Sequence, residues 1–190
     1  MSFIKDIYKQ LKKDQTVLSL VDLTSINPNY TGPKLNSAIK YLVKNKELIR
    51  LSKGLYALNQ NYRREEFGNK FRIPSYISLY TVLSESGVVF QPYSSIYLVS
   101  QRSEIKTIRD EKYIYRKIRD DILLNPIGIH DIDGVFKASK ERAICDKIYL
   151  DNDEYFDNLR EIDWEKINLI NQEVYNGNRK ISQWISKNIK

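Results

Sequence analysis

The chain has 190 residues, 42% hydrophobic and 12% aromatic, with 31 basic against 24 acidic side chains for a net charge of +7. That apolar and aromatic content excludes a disordered chain, and a single cysteine, Cys145, with a single histidine, His130, excludes a disulfide framework or a Cys/His zinc site within one copy. Lys5, Asp6 and Lys9 interrupt the N-terminus and no run of about 18 apolar residues occurs, so neither a signal peptide nor a membrane span is expected, and the implied location is a reducing cytoplasm.

Phe3, Ile4, Ile7, Tyr8 and Leu11 share one face of a helix predicted over about 2–13, with Lys5, Lys9 and Lys12 elsewhere. Thr16-Val17-Leu18 reads as a short strand, Ser19 as the cap of a two-turn helix through Leu20, Val21 and Leu23, and Asn27-Pro28-Asn29 as a turn. The next helix is the clearest in the chain. Leu35, Ala38, Ile39 and Leu42 recur at i, i+3, i+4 and i+7, Thr31 stands at the N-cap, Pro33 in the first turn and Asn45 at the C-terminal stop. Residues 48–52 and 55–58 then flank Lys53-Gly54, where glycine supplies the positive φ of a tight hairpin. Helix, strand, helix, turn, helix and ribbon is the order of a winged helix-turn-helix, and it makes the helix from Thr31 the recognition helix.

Charge points the same way. Residues 1–60 hold ten basic and four acidic side chains, whereas 61–190 hold 21 and 20, so the excess positive charge sits on this module. Lys34, Lys40 and Lys44 are candidates for phosphate contacts. Asn36, Ser37 and Tyr41 are candidates for base edges or the sugar-phosphate backbone, and the wing offers Arg50, Ser52 and Lys53.

The polar residues 61–73 read as a linker. From Pro74 a helix is expected, with Tyr76, Ile77, Tyr80 and Leu83 at helical spacing and an end near Ser86-Gly87. Four short runs rich in Ile, Tyr and Val, over 95–101, 104–109, 112–119 and 134–138, predict a small antiparallel sheet. Ser139 caps a helix through Leu150 in which Arg142 and Asp146 form an i, i+4 pair, and helices over about 164–175 and 178–188 follow. The expected fold class is therefore α+β: a winged helix-turn-helix domain over 1–60, a linker over 61–73, and over 74–190 a mixed α/β domain with a small antiparallel sheet and C-terminal helices.

Enzyme signatures are sparse. Glu104-Ile105-Lys106 matches the last part of a nuclease-type acidic-x-Lys metal site and Asp131-Ile132-Asp133 a paired-carboxylate motif, but no aspartate lies between Asp22 and Asp110 and no Gly-Ser turn precedes Asp131. No Walker-type glycine loop occurs. Cys145 in a helix, with His130 upstream, reads as a packed residue rather than half of a catalytic pair, and Tyr76, Tyr80, Tyr97, Tyr113, Tyr115 and Tyr149 read as packing aromatics. No cofactor, metal site or catalytic residue is expected.

Three motifs in order resemble the AbiE antitoxin family, the antitoxins of type IV toxin-antitoxin pairs in bacterial abortive-infection systems. They are a basic-Gly-x-Tyr wing, Lys53-Gly54-Leu55-Tyr56; a Ser-rich opening of the second domain, Pro74-Ser75-Tyr76-Ile77-Ser78-Leu79, closing at Gly87; and a strand leading into Ala138-Ser139-Lys140-Glu141-Arg142-Ala143-Ile144-Cys145-Asp146. Lys46 stands where the family commonly ends its recognition helix with glycine. The resemblance implies a non-enzymatic transcriptional autorepressor that binds double-stranded DNA at repeats in its own promoter. It also implies a neighbouring nucleotidyltransferase-like toxin neutralised without a stable complex. Two alternatives stay open: a nucleic-acid-processing enzyme with a metal site in the second domain, and a winged helix that binds RNA or docks a protein.

Overall fold

The computed structural model describes residues 2–11, 14–152 and 155–189, and the chain divides into Met1–Phe71 and Arg72–Lys190. In the first unit α1 (Phe3–Gln10) turns Phe3 and Ile7 inward and stops where Leu11 takes an extended backbone. The rest of the expected helix, Lys12 and Lys13, lies outside the described residues. β1 (Val17–Ser19) leads into α2 (Leu20–Ile26) through a capping box. The Ser19 hydroxyl oxygen accepts from the Asp22 amide at 3.1 Å, and the Asp22 carboxylate accepts from the Ser19 amide at 2.8 Å, satisfying two helix-terminal donors reciprocally.

α3 (Gly32–Lys44) buries Leu35, Ile39 and Leu42, with Pro33 in its first turn. Thr31 holds the N-cap position in extended conformation, but its side chain makes no capping bond. Asn45 is the C-cap, and Lys46 after it takes a φ of +59° that permits the amide of Glu47 to reach the Leu42 carbonyl at 2.9 Å and its own amide the Val43 carbonyl at 3.2 Å. That pair of bonds is the left-handed stop for which glycine is the usual residue. β2 (Ile49–Ser52) and β3 (Leu55–Ala57) follow, and the antiparallel order β1-β3-β2 places β3 in the centre. Leu18, Leu23, Ile26, Leu35, Ile39, Leu42, Leu48 and Tyr56 close on Phe3 and Ile7 as one core.

The linker expected over 61–73 is instead largely α4 (Arg64–Phe71), and it belongs to the first unit. Its apolar pattern is short: Phe67 is fully buried, and beside it a carboxylate anchors the helix. Glu66, 2% exposed, accepts from the Thr16 amide at 2.8 Å and the Thr16 hydroxyl at 2.7 Å. It pairs with Lys70 at 3.1 Å, and Lys70 reaches Asp22 of the capping box at 3.2 Å.

The second unit also departs from expectation at its start. Ser75–Ile77 is a strand, β4, and only Leu79–Glu85 is helical, as α5. A short apolar run fits either period, and β4 is decided by ladders on both sides, to β5 (Ile96–Ser100) and to β9 (Val135–Ala138). With β6 (Glu104–Ile108), β7 (Glu111–Lys117) and β8 (Ile129–Ile132) these strands form a six-stranded sheet in the order β6-β7-β5-β4-β9-β8. It is mixed, not the small antiparallel sheet expected, because β5 pairs with β7 and β4 with β9 in parallel. A short α6 (Asp120–Leu123) precedes β8. Then α7 (Lys140–Asp151), α8 (Trp164–Tyr175) and α9 (Arg179–Asn188) lie close to their expected spans, with Ser139 capping α7 through the Arg142 amide at 3.2 Å. The molecule is an α+β protein, and no helix among the described residues is long and apolar enough to cross a membrane.

Candidate nucleic-acid interface

The face of α3 opposite its buried stripe is polar and open. Lys34, Asn36, Ser37, Lys40, Tyr41 and Lys44 are all exposed, Tyr41 by 63%. At about 100° per residue, Ser37, Lys40, Tyr41 and Lys44 centre on this face, whereas Lys34 and Asn36 fall on opposite flanks about 160° apart. Lys34 holds its flank with its ammonium 4.9 Å from the Tyr30 ring, and Tyr30 stacks on Phe3 of α1 at 4.4 Å between centroids. Among the described residues no carboxylate pairs with Lys34, Lys40, Lys44 or Lys53, so these charges face solvent without a counter-ion from the protein.

The β2–β3 hairpin carries Arg50 and Lys53 exposed and Ser52 half-buried. A bulge at Leu51, between the pairs Arg50↔Tyr56 and Ser52↔Leu55, adds local twist. Gly54 takes φ +78° at the turn, which an L side chain rarely adopts. All nine residues singled out from the sequence therefore lie on two consecutive elements of one unit. With the boundary observed at residue 71, that unit holds 13 basic and 6 acidic side chains, and Arg72–Lys190 holds 18 of each. The whole excess charge of the protein belongs to the unit that carries α3.

No family model matches the chain, and no curated protein is significantly similar to it.

The residues considered for catalysis are not brought together. Glu104 lies on β6 and Asp131 on β8, the two outer strands of a six-stranded sheet, which separates them by roughly 24 Å at the usual strand spacing. Each already has a partner: Arg72 donates to Glu104 at 2.7 Å, and the Gly134 amide donates to Asp131 at 2.7 Å in the β8–β9 turn. Among the described residues no group of three His, Cys, Asp or Glu side chains is placed to share a metal ion. Cys145 is fully buried, and burial, reinforced by Asp146, pushes its thiol far up, so it is not a thiolate nucleophile. His130 is exposed on β8.

One constellation was visible in the sequence only as a pair. Arg142 and Asp146, at 3.6 Å, are both fully buried. Asp146 accepts from Tyr76 at 2.9 Å, Ser78 at 2.7 Å and Tyr175 at 2.5 Å, and Arg142 donates to the Ile127 and Ile122 carbonyls at 2.8 and 2.7 Å. Burial and then the Asp146 charge hold both phenols well above their usual pKa, so they stay protonated as donors. This network, complete except for the Arg142 Nε, which has no hydrogen-bond partner, locks α7 to β4, the N-cap of α5 and α8, and its burial denies it to a substrate. The hydroxyls joining it come from residues 29 to 70 positions away, beyond any local sequence signal.

Proposed function

We propose that Met1–Phe71 is a winged helix-turn-helix that binds double-stranded DNA, with α3 as recognition helix and the β2–β3 hairpin as wing. The observation that carries this is the exposed line of Lys40 and Lys44, without protein counter-ions, on the outer face of a well-anchored helix. Ammonium groups so placed meet phosphates and release condensed counter-ions, the main source of affinity for duplex DNA. Ser37 and Tyr41 between them supply donors and acceptors at base-edge height. By resemblance at Lys53-Gly54-Leu55-Tyr56 and over Ala138 to Asp146, the proposal extends to a non-enzymatic cytoplasmic autorepressor acting at its own promoter repeats. On the same ground it would be the antitoxin of a type IV pair, matched to a nucleotidyltransferase-like toxin without a stable complex.

The test is fluorescence anisotropy with a duplex from immediately upstream of the coding region, against a scrambled duplex, between about 50 and 200 mM salt. The expected result is preference for the upstream duplex. Lys40→Ala/Lys44→Ala should weaken both duplexes alike and flatten the salt slope by about one unit per lost phosphate contact. Equal, weak binding to both duplexes, or preference for structured RNA, would remove the regulatory claim.

A further inference from the structure

We infer that base choice by this interface is made through the major groove by α3 alone, and that the wing grips phosphates without reading bases. The inference rests on the duplex-binding proposal above.

Its ground is how the wing tip is held. β2 and β3 have four and three residues, and the pair Ser52↔Leu55 leaves only Lys53 and Gly54 in the turn. The tip is then tied back to the body of the unit. Ser19 pairs with Leu55, and the Leu20 amide at the start of α2 donates to the Gly54 carbonyl at 2.8 Å. A Cβ on Gly54 would lie 4.0 Å from the Leu20 side chain. The first turn of a helix therefore stands against the tip. A minor groove is about 6 Å wide and about 7.5 Å deep, enough for an extended arm but not for a ribbon backed by a helix about 10 Å across.

The side chains agree. Leu51 and Leu55 are buried, Ser52 is half-buried, and Arg50 lies along its own strand with Nε 3.4 Å from the Ser52 carbonyl. Only Lys53 projects from the turn, a flexible point charge suited to a phosphate and lacking the fixed fork by which an arginine makes a bidentate contact. Base edges fall instead to Ser37 and Tyr41 on the exposed α3 face, where Lys40 and Lys44 meet phosphates, while Lys34 and Asn36 on its flanks lie toward the two bordering backbones.

Base analogues separate the two grooves on the unaltered protein. The duplex would be the tightest recovered from a randomised pool. Inosine·cytosine keeps the minor-groove face of A·T while presenting that of G·C in the major groove; diaminopurine·thymine does the reverse. Inosine·cytosine at the preferred A·T positions should lower affinity tenfold or more, and diaminopurine·thymine should change it by less than about twofold. Arg50→Ala/Lys53→Ala, with folding checked by its thermal transition, should weaken preferred and scrambled duplexes by the same factor and lower the salt slope by about two. The opposite analogue pattern, indifference to both analogues, or loss of preference in the wing variant would overturn the inference while leaving duplex binding standing. A pool that yields no bound duplex would remove the DNA-binding proposal, and this inference with it.

Discussion

At the scale of single residues, the most consequential position outside the interface is Asp146. Its carboxylate is 0% exposed and collects three hydroxyl donors while balancing a guanidinium that is also 0% exposed. Burying such a pair costs several kcal/mol of desolvation per ion, so its net stabilisation is small, but removing one member leaves the other charged and unpaired. Asp146→Ala should therefore destabilise the second unit by about 3–5 kcal/mol in urea unfolding, and Tyr175→Phe, which removes one bond to a charged acceptor, by about 1.5–3 kcal/mol. A loss under about 1 kcal/mol in the first variant would mean that Arg142 finds other compensation. Sequence spacing disclosed the Arg142–Asp146 pairing but not its depth. An i, i+4 pair on a solvated helix looks the same, and only the aromatic and hydroxyl side chains of β4, the N-cap of α5 and α8 distinguish the two.

At the scale of elements, the capping box of α2 and the docking of α4 share one carboxylate. Burial alone would raise the Asp22 pKa. The Ser19 amide and hydroxyl together with the Lys70 ammonium outweigh it and hold the group below its ordinary value. A carboxyl whose folded pKa is depressed contributes stability that is complete above its unfolded pKa and disappears as pH falls through the folded value. The deficit of Asp22→Asn relative to the parent protein should thus be full at neutral pH, shrink below about pH 4 and vanish in stronger acid, as followed by thermal unfolding at each pH. A deficit unchanged from neutral to strongly acidic solution would place the effect of that variant elsewhere. α4 itself was hidden because a lone buried aromatic, Phe67, gives no period and its other anchors are Glu66 and Lys70, residues that ordinarily mark a solvated segment.

At the scale of the whole molecule, the charge asymmetry sets where salt should act. The first unit carries +7 and the second is balanced. If affinity came from the protein's overall positive charge, any two exposed basic residues would serve equally well. Under local phosphate contacts they would not. Lys112→Ala/Arg179→Ala, two exposed positions in the second unit, removes as much charge as Lys40→Ala/Lys44→Ala. It should leave duplex affinity within about twofold and the salt slope unchanged. Equal losses in the two double variants would locate binding in the general field of the protein rather than on α3.

What the sequence by itself determined is what acts over four residues or fewer, together with composition. The apolar period of α3, the Ser19 and Ser139 caps, the Lys53-Gly54 turn, the spans of α7 to α9 and the placement of charge all follow from neighbours in the chain. These place every residue of the candidate interface, because α3 and the hairpin are consecutive elements. What only the tertiary structure decided is what depends on distant partners. Ser75–Ile77 becomes a strand because Ile77 lies beside Lys137, 60 positions on, and the sheet is mixed because β5 finds β7 across the β6 hairpin. α4 folds onto the segment leading into β1 through a bond from Thr16 spanning 50 residues. Periodicity within a segment carries no information about which segment will lie beside it, and a half-apolar run accepts whichever ladder or buried charge the rest of the chain presents.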